Sequence, residues 1–291
     1  MTILLTEGAW ARVGDRVVYQ SGDPVGAASL RYFATALGVS SAPPTFVCET
    51  CQFVSRPADV DGYAGHGWDL EFRAPTTMIR LANRYEFGVP VLAATIVTTT
   101  WTLERLEERP LGVRATSVVT YEDQHGRLLA TNEELALFRP LSAPPIVSQP
   151  RTATLFAAGA LAGDGVDVWS RSLTLTDLVA YSGATWDHHR LHYDDAYARA
   201  AGFPGPIVDG QMWGALFASR AFALAAARSE GRELATLDVR YLSPLSVPND
   251  IQVISVWSDT AQDAEPREVA QEIVSGNQLV ASATSALRRA E

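Results

Sequence analysis

Lysine is absent from this 291-residue chain, so all 23 basic side chains are arginine. Against 33 acidic residues they leave a formal net charge of -10. No run of arginines makes the basic stripe that a duplex-binding surface carries, so nucleic acid is not an expected partner. An anionic ligand would have to be met by a local Arg patch and not by the field of the whole protein. Long uncharged apolar runs are also missing. The most apolar later segment, Gln211 to Arg228, is interrupted by Arg220, and no stretch is long enough to cross a bilayer. Met1 to Arg12 has no basic region followed by an apolar one, so it does not have the pattern of a signal peptide. These absences predict a cytoplasmic protein without membrane contact. There are only two cysteines, Cys48 and Cys51, in a C-x-x-C arrangement. A zinc site needs about four ligands, and no second cysteine pair completes one. Phe46 and Phe53 beside them suggest a strand or buried turn holding two reduced thiols.

What is present is core material. Hydrophobic residues make up 47% and charged residues 19%, which is a globular composition. The length suits one large domain or two modest ones. An internal match favours two. Gly126, Leu129, Ala136, Leu137 and Arg139 align without a gap on Gly276, Leu279, Ala286, Leu287 and Arg289. Each segment follows a turn signal, Asp123 to Gly126 or Ser275 to Asn277, and reads as the return strand of a hairpin. The match predicts similar halves over residues 1–140 and 151–291. Pro144, Pro145 and Pro150 suit the segment between them as an exposed linker.

In the second half, Thr174 to Ser182 reads as a short helix that Thr176 could cap, with Asp177 in its first turn. A His-rich polar segment follows, then the turn cluster Gly202-Phe-Pro-Gly205-Pro206. Gln211 to Arg228 is apolar nearly all round, the mark of a helix wrapped by other structure. Leu237, Val239 and Tyr241 alternate with charged residues, and Ile251, Val253 and Trp257 share a face of a second strand. The first half has a similar strand-rich tail, Ala93 through Thr100 and Ala115 through Tyr121. Antiparallel strands curled round one buried helix make an α+β arrangement.

The most informative segment is Tyr181-Ser-Gly-Ala-Thr-Trp-Asp187-His-His-Arg190-Leu-His192-Tyr-Asp194. It sets an Asp and a His five residues apart before a buried helix. One group that accepts a proton and one that hands it on are what addition of water requires. Gly210 opens that helix, and its N–H is one of the unpaired donors of a helix N-terminus, suited to an enolate oxygen. His188 and His192 have the spacing of metal ligands, but no third ligand is evident, and neither metal nor cofactor is expected. Asp209 lies at the helix start, where its charge suits the dipole, and is given no role in the chemistry. Asp194 and Asp195 read as solvated or capping.

The segment resembles the MaoC-like hydratase/dehydratase family of hotdog proteins, which includes (R)-specific enoyl-CoA hydratases. That family's motif is Asp-x-Asn-Pro-hydrophobic-His. Asp187 and His192 match its Asp and His, and Gly210 its oxyanion glycine. His189 stands where Asn is usual and Arg190 where Pro is usual. This version is similar to the branch of mesaconyl-CoA-type hydratases. The resemblance implies a double hotdog, two antiparallel sheets each wrapped round a central helix. Its activity would be reversible hydration of a trans-2-enoyl thioester, or dehydration of the (3R)-3-hydroxyacyl thioester. The substrate would be carried by coenzyme A or an acyl carrier protein, and a homo-oligomer is possible. His189, Arg190, Tyr181 and Trp186 are the candidates for substrate contact; Tyr181 and Trp186 read as pocket wall or core, and Arg190 suits an anionic carrier or a structural salt bridge equally. When Gly38 is aligned with the motif glycine, Val39 takes the Asp place and Pro44 the His place, so the first half would be a silent copy that shapes the acyl pocket. A thioesterase, a specialised natural-product dehydratase or cyclase, and a non-catalytic acyl-binding subunit are the alternatives on the same fold.

Overall fold

The computed structural model describes residues 4–51, 70–140, 142–143, 151–157, 165–227, 231–257 and 265–290. Phe53 and most of the predicted linker lie outside them. The first half holds α1 (Glu7–Trp10), β1 (Arg16–Gln20), α2 (Ala27–Leu37), α3 (Phe46–Thr50), β2 (Thr76–Phe87), β3 (Thr98–Arg109), β4 (Gly112–Glu122) and β5 (Leu128–Pro140). The second holds α4 (Thr154–Ala157), β6 (Val166–Leu173), α5 (Leu175–Thr185), a 3-10 turn (Arg190–His192), α6 (Asp195–Ala200), α7 (Gly210–Ala227), β7 (Arg232–Tyr241), β8 (Asn249–Trp257), β9 (Arg267–Ser275) and β10 (Gln278–Arg289).

All ten strands form one antiparallel sheet in the order β1-β3-β4-β5-β2-β7-β10-β9-β8-β6. Outward from its middle, the first half runs β2-β5-β4-β3-β1 and the second β7-β10-β9-β8-β6, the same order with every label advanced by five. The segments matched in sequence are β5 and β10, which occupy equivalent places. Each leaves its hairpin through a left-handed glycine, Gly126 at φ 74° and Gly276 at φ 56°, a conformation that costs glycine little. The two expected sheets are therefore joined. Ala82 to Glu86 of β2 pair with Thr236 to Arg240 of β7, which removes two exposed edges.

Helix α7 is the wrapped helix. Eleven of its residues are buried, and it packs on all five strands of the second half. In the first half the described residues between β1 and β2 include α2 and α3. Cys48 and Cys51 lie at α3 and not on a strand; Cys48 is buried and both are free thiols. Burial raises both thiol pKa values, Cys51 to about 11, so both stay protonated and unreactive.

Helix α5 spans Leu175–Thr185, ending three residues later than expected, and its cap lies two residues before Thr176. Thr174 is the cap, and Asp177 returns the bond to the Thr174 N–H at 2.8 Å. This is the reciprocal capping box, which Thr176 cannot form because Val179 stands three residues on. Leu178, Tyr181, Ser182 and Thr185 are its buried side chains, one stripe at helical spacing. That stripe meets α2, with Phe33 5.9 Å from Tyr181 and 5.4 Å from Phe46 between ring centres. Strand β3 begins at Thr98. Ala93 to Val97, expected in a strand, instead form a turn and loop, with Ala94 left-handed at φ 71°.

Candidate active site

Two connections bring the motif loop to the start of α7. The Ile207 N–H donates to the Leu191 carbonyl at 3.0 Å, and His192 Nδ1 lies 2.9 Å from the Ile207 carbonyl. A carbonyl only accepts, so Nδ1 carries a proton, and Nε2 is the nitrogen left to face a ligand. Asp187 Oδ1 accepts from the His189 N–H at 3.0 Å. His189 Nδ1 in turn accepts from Leu191 N at 3.3 Å and caps the 3-10 turn. His189 thus orders the loop at both ends of its own residue. Asp187 is buried, at 6% exposure.

The third group here is Asp209, which the sequence reading set aside. One ligand-type atom from each of Asp187, His192 and Asp209 lies within 4.8 Å of the other two. Such spacing would also suit a cation, with Asp187 and not His188 as the partner of His192. However, Arg80 Nη1 lies 3.9 Å from Asp209 Oδ1 and already supplies a positive charge there. Asp209 caps α7: Oδ1 accepts from Gln211 N at 3.0 Å, and its carbonyl from Met212 N at 3.1 Å. Burial raises its pKa; the neighbouring Asp187 adds to the rise, while His192 and Arg80 oppose it. Gly210 follows as the first residue of α7, so its N–H has no partner within the helix. A Cβ on Gly210 would meet the Tyr241 ring at 3.4 Å, an ordinary contact. Space for the protein's own atoms therefore does not demand glycine there.

Much of the wall beneath this cluster comes from the first half. Arg80, on β2, donates to Glu134 of β5 at 2.7 Å. Tyr241 donates to Asn83 at 2.9 Å, and Asn83 to Asn132 at 2.7 Å. Tyr181 is 1% exposed and donates to Glu49 of α3. Burial holds the Glu49 carboxyl well above the usual range, against the pull of the Tyr181 and Thr45 hydroxyls. Tyr181 is thus core at the junction of the halves. Trp186 is 70% exposed and edge-on to His188 at 5.9 Å. Arg190 makes two bonds to Asp194, at 2.7 and 3.0 Å, and lies 4.7 Å over the Tyr197 ring. That pair braces α6, whose N-cap is Asp194.

A cavity of about 550 Å³ lies elsewhere, against the loop Gly38 to Pro44, the β2–β3 connection and the second half of α7. None of Asp187, His192, Asp209 or Gly210 lines it. The loop that lines it is nevertheless the counterpart of the loop that carries Asp187 and His192. Helices α2 and α5 are each eleven residues long and end in left-handed residues, Gly38 at φ 69° and Trp186 at φ 60°. Val39 follows the first and Asp187 the second.

Among the described residues, no helix is long and apolar enough to cross a membrane. No curated protein matches the chain. Among solved structures, it is similar to a MaoC-like dehydratase at a TM-score of 0.72 and 18% identity, covering 97% of this chain and 100% of that one. It is similar to the MaoC-like dehydratase from Phytophthora capsici at a TM-score of 0.69 and 14% identity, covering 96% and 98%. It also resembles the peroxisomal multifunctional enzyme type 2 from Drosophila melanogaster, at a TM-score of 0.68 and 16% identity, over 94% of this chain but 48% of that one. At these identities the likeness speaks for the fold alone. Residues 158–278 match the family model of the MaoC like domain, so the second half of this hotdog-type chain carries a MaoC-like domain.

Proposed function

We propose that the protein is a hydro-lyase that adds water reversibly to a trans-2-enoyl thioester, and that dehydrates the (3R)-3-hydroxyacyl thioester in reverse. The observation that carries this reading is the meeting of Asp187 and His192 beside the N-terminus of α7. The thioester oxygen would point at the Gly210 N–H, where the helix end favours negative charge. Asp187 and the Nε2 face of His192 would hold the water. One of them removes its proton as the water oxygen bonds C3, and C2 gains a proton. His189 supports this by fixing the Asp187 carboxylate through its N–H. The phosphopantetheine arm of coenzyme A and that of an acyl carrier protein are chemically alike at this site, and both are substrates of this reading.

The first half, over residues 1–140, would be catalytically silent, because neither Val39 nor Pro44 can move a proton. Its cavity would take the far end of a long acyl chain. The Phe222 wall lies roughly 18 Å along α7 from Gly210 at 1.5 Å per residue, so short chains would not reach it. Arg190 and Trp186 would act at the carrier side, Arg190 chiefly by bracing α6.

The test is absorbance of an enoyl thioester with a free-thiol assay run beside it. Loss of the conjugated band without thiol release supports hydration. Thiol release at the same rate would make the protein a thioesterase and overturn the reading.

A further inference from the structure

We propose that Asp209 is a third catalytic residue: its Oδ2 exchanges the proton that C2 of the acyl chain gains on hydration and loses on dehydration. This rests on the hydratase reading above and names the second proton carrier that the reading requires.

The two oxygens of Asp209 have different surroundings. Oδ1 caps α7 through Gln211 N and faces Arg80. Oδ2 is buried without a hydrogen-bond partner. Capping therefore accounts for one oxygen and leaves the other unexplained, and an unsatisfied buried carboxylate oxygen is costly. A proton on Oδ2, or a substrate beside it, removes that cost. The position is also tied to the oxyanion donor. Asp209 directly precedes Gly210, and C2 is bonded to the carbonyl carbon whose oxygen Gly210 would hold. The residue next in the chain is thus the one kept beside C2.

The surrounding charges fit an acid. Facing Asp209 are Asp187 and His192 from the motif loop, Arg80 from β2, Glu49 from α3, Tyr181 from α5 and Tyr241 from β7. Two neighbouring buried carboxylates do not readily ionise together. Burial and the Asp187 charge outweigh His192 and Arg80, so the Asp209 pKa lies above its usual value. Groups whose environments push their proton affinities apart are suited to divide acid and base work. In hydration, Asp187 or His192 takes a proton from water as the O–C3 bond forms. The C2=C3 electron pair moves toward the carbonyl, and Asp209 gives its proton to C2 and becomes a carboxylate. The proton taken from water then returns to Asp209 through the cluster. One water is added and no other reactant is consumed.

Asp209→Asn is the informative variant, because Asn caps a helix as well as Asp does but has no acid to give. The expected result is a folded protein, by unchanged thermal midpoint, with kcat down about 100-fold and KM little changed. The wild-type kcat for hydration should fall as pH rises and Asp209 loses its proton, and D209N should lose that alkaline limb. Independently of turnover, infrared difference spectra near neutral pH should show a protonated carboxyl band in the wild type that D209N lacks. Glu49→Gln should leave that band in place. Wild-type turnover that survives in D209N with its alkaline limb intact, or no D209N-sensitive carboxyl band, overturns the inference alone. No wild-type turnover on any enoyl thioester overturns the hydratase reading and the inference with it.

Discussion

After α2 the left-handed cap Gly38 is followed by Val39; after α5 the left-handed cap Trp186 is followed by Asp187. Around these caps the two halves share strand order, helix length and hairpin geometry. What differs is the side-chain chemistry on one loop: Val39 and Pro44 line a cavity of mixed polarity, while Asp187 and His192 meet at a helix N-terminus. One backbone plan thus carries an Asp–His pair on one loop and Val39 and Pro44 on the other. The first half also contributes to the surroundings of the Asp187–His192 loop. Arg80 and Glu49 reach across the junction and set the charge environment of Asp209.

The comparison is broken most strongly at the loops themselves. Asp187→Asn and His192→Ala should each lower kcat by about 10²–10⁴-fold with the fold retained, whereas Val39→Ala should leave turnover of a short enoyl thioester unchanged. Comparable losses at both loops would mean that the halves are not divided in function. The next largest effect is expected at the junction. Arg80→Met leaves Glu134 buried without the cation that now bonds it; unfolding by denaturant should show a loss of about 3 kcal/mol.

A smaller effect separates space from chemistry. Gly210→Ala adds a Cβ that the Tyr241 ring tolerates at 3.4 Å, so the thermal midpoint should hold while crowding of the thioester lowers kcat about 10-fold, or about 1.4 kcal/mol. The smallest lies in the capping box that starts α5. Burial raises the Asp177 pKa, but bonds from Thr174 and the Arg171 guanidinium outweigh it and leave the value lowered. A carboxylate with a depressed folded-state pKa stabilises fully above the ordinary aspartate range, and loses that contribution as pH falls through the folded value. Asp177→Ala should therefore cost about 1 kcal/mol near neutral pH, and the gap from wild type should close on acidification. Arg171 also bonds the Ala36 carbonyl at 3.1 Å, so this test sharpens how the second half grips the end of α2.

Much of this arrangement was legible in the chain because its determinants are local. The hairpin glycines, the apolar run of α7 and the Asp187–His192 spacing are signals within a few residues of each other. Thr174-x-x-Asp177 was equally local, but the nearer pair Thr176–Asp177 competed with it. A structural salt bridge is one of the two readings of Arg190, and its partner Asp194, four residues on, lies within the same local signal. Asp209 was obscured for a different reason. An acid at a helix start is fully explained by capping, and only coordinates show that capping uses one oxygen. Arg80, Asn83 and Glu49 carried no local signal, since the pairing of β2 with β7 and the packing of α3 against α5 are what bring them to the site.

The most direct test of the account is hydration of crotonyl-CoA, followed by loss of the enoyl-thioester absorbance with a simultaneous free-thiol assay, for wild type and Asp187→Asn. The account predicts a fall in absorbance without thiol release by the wild type, slowed at least about 100-fold in the variant. Equal rates in the two proteins, or thiol appearing as fast as the band disappears, would contradict it.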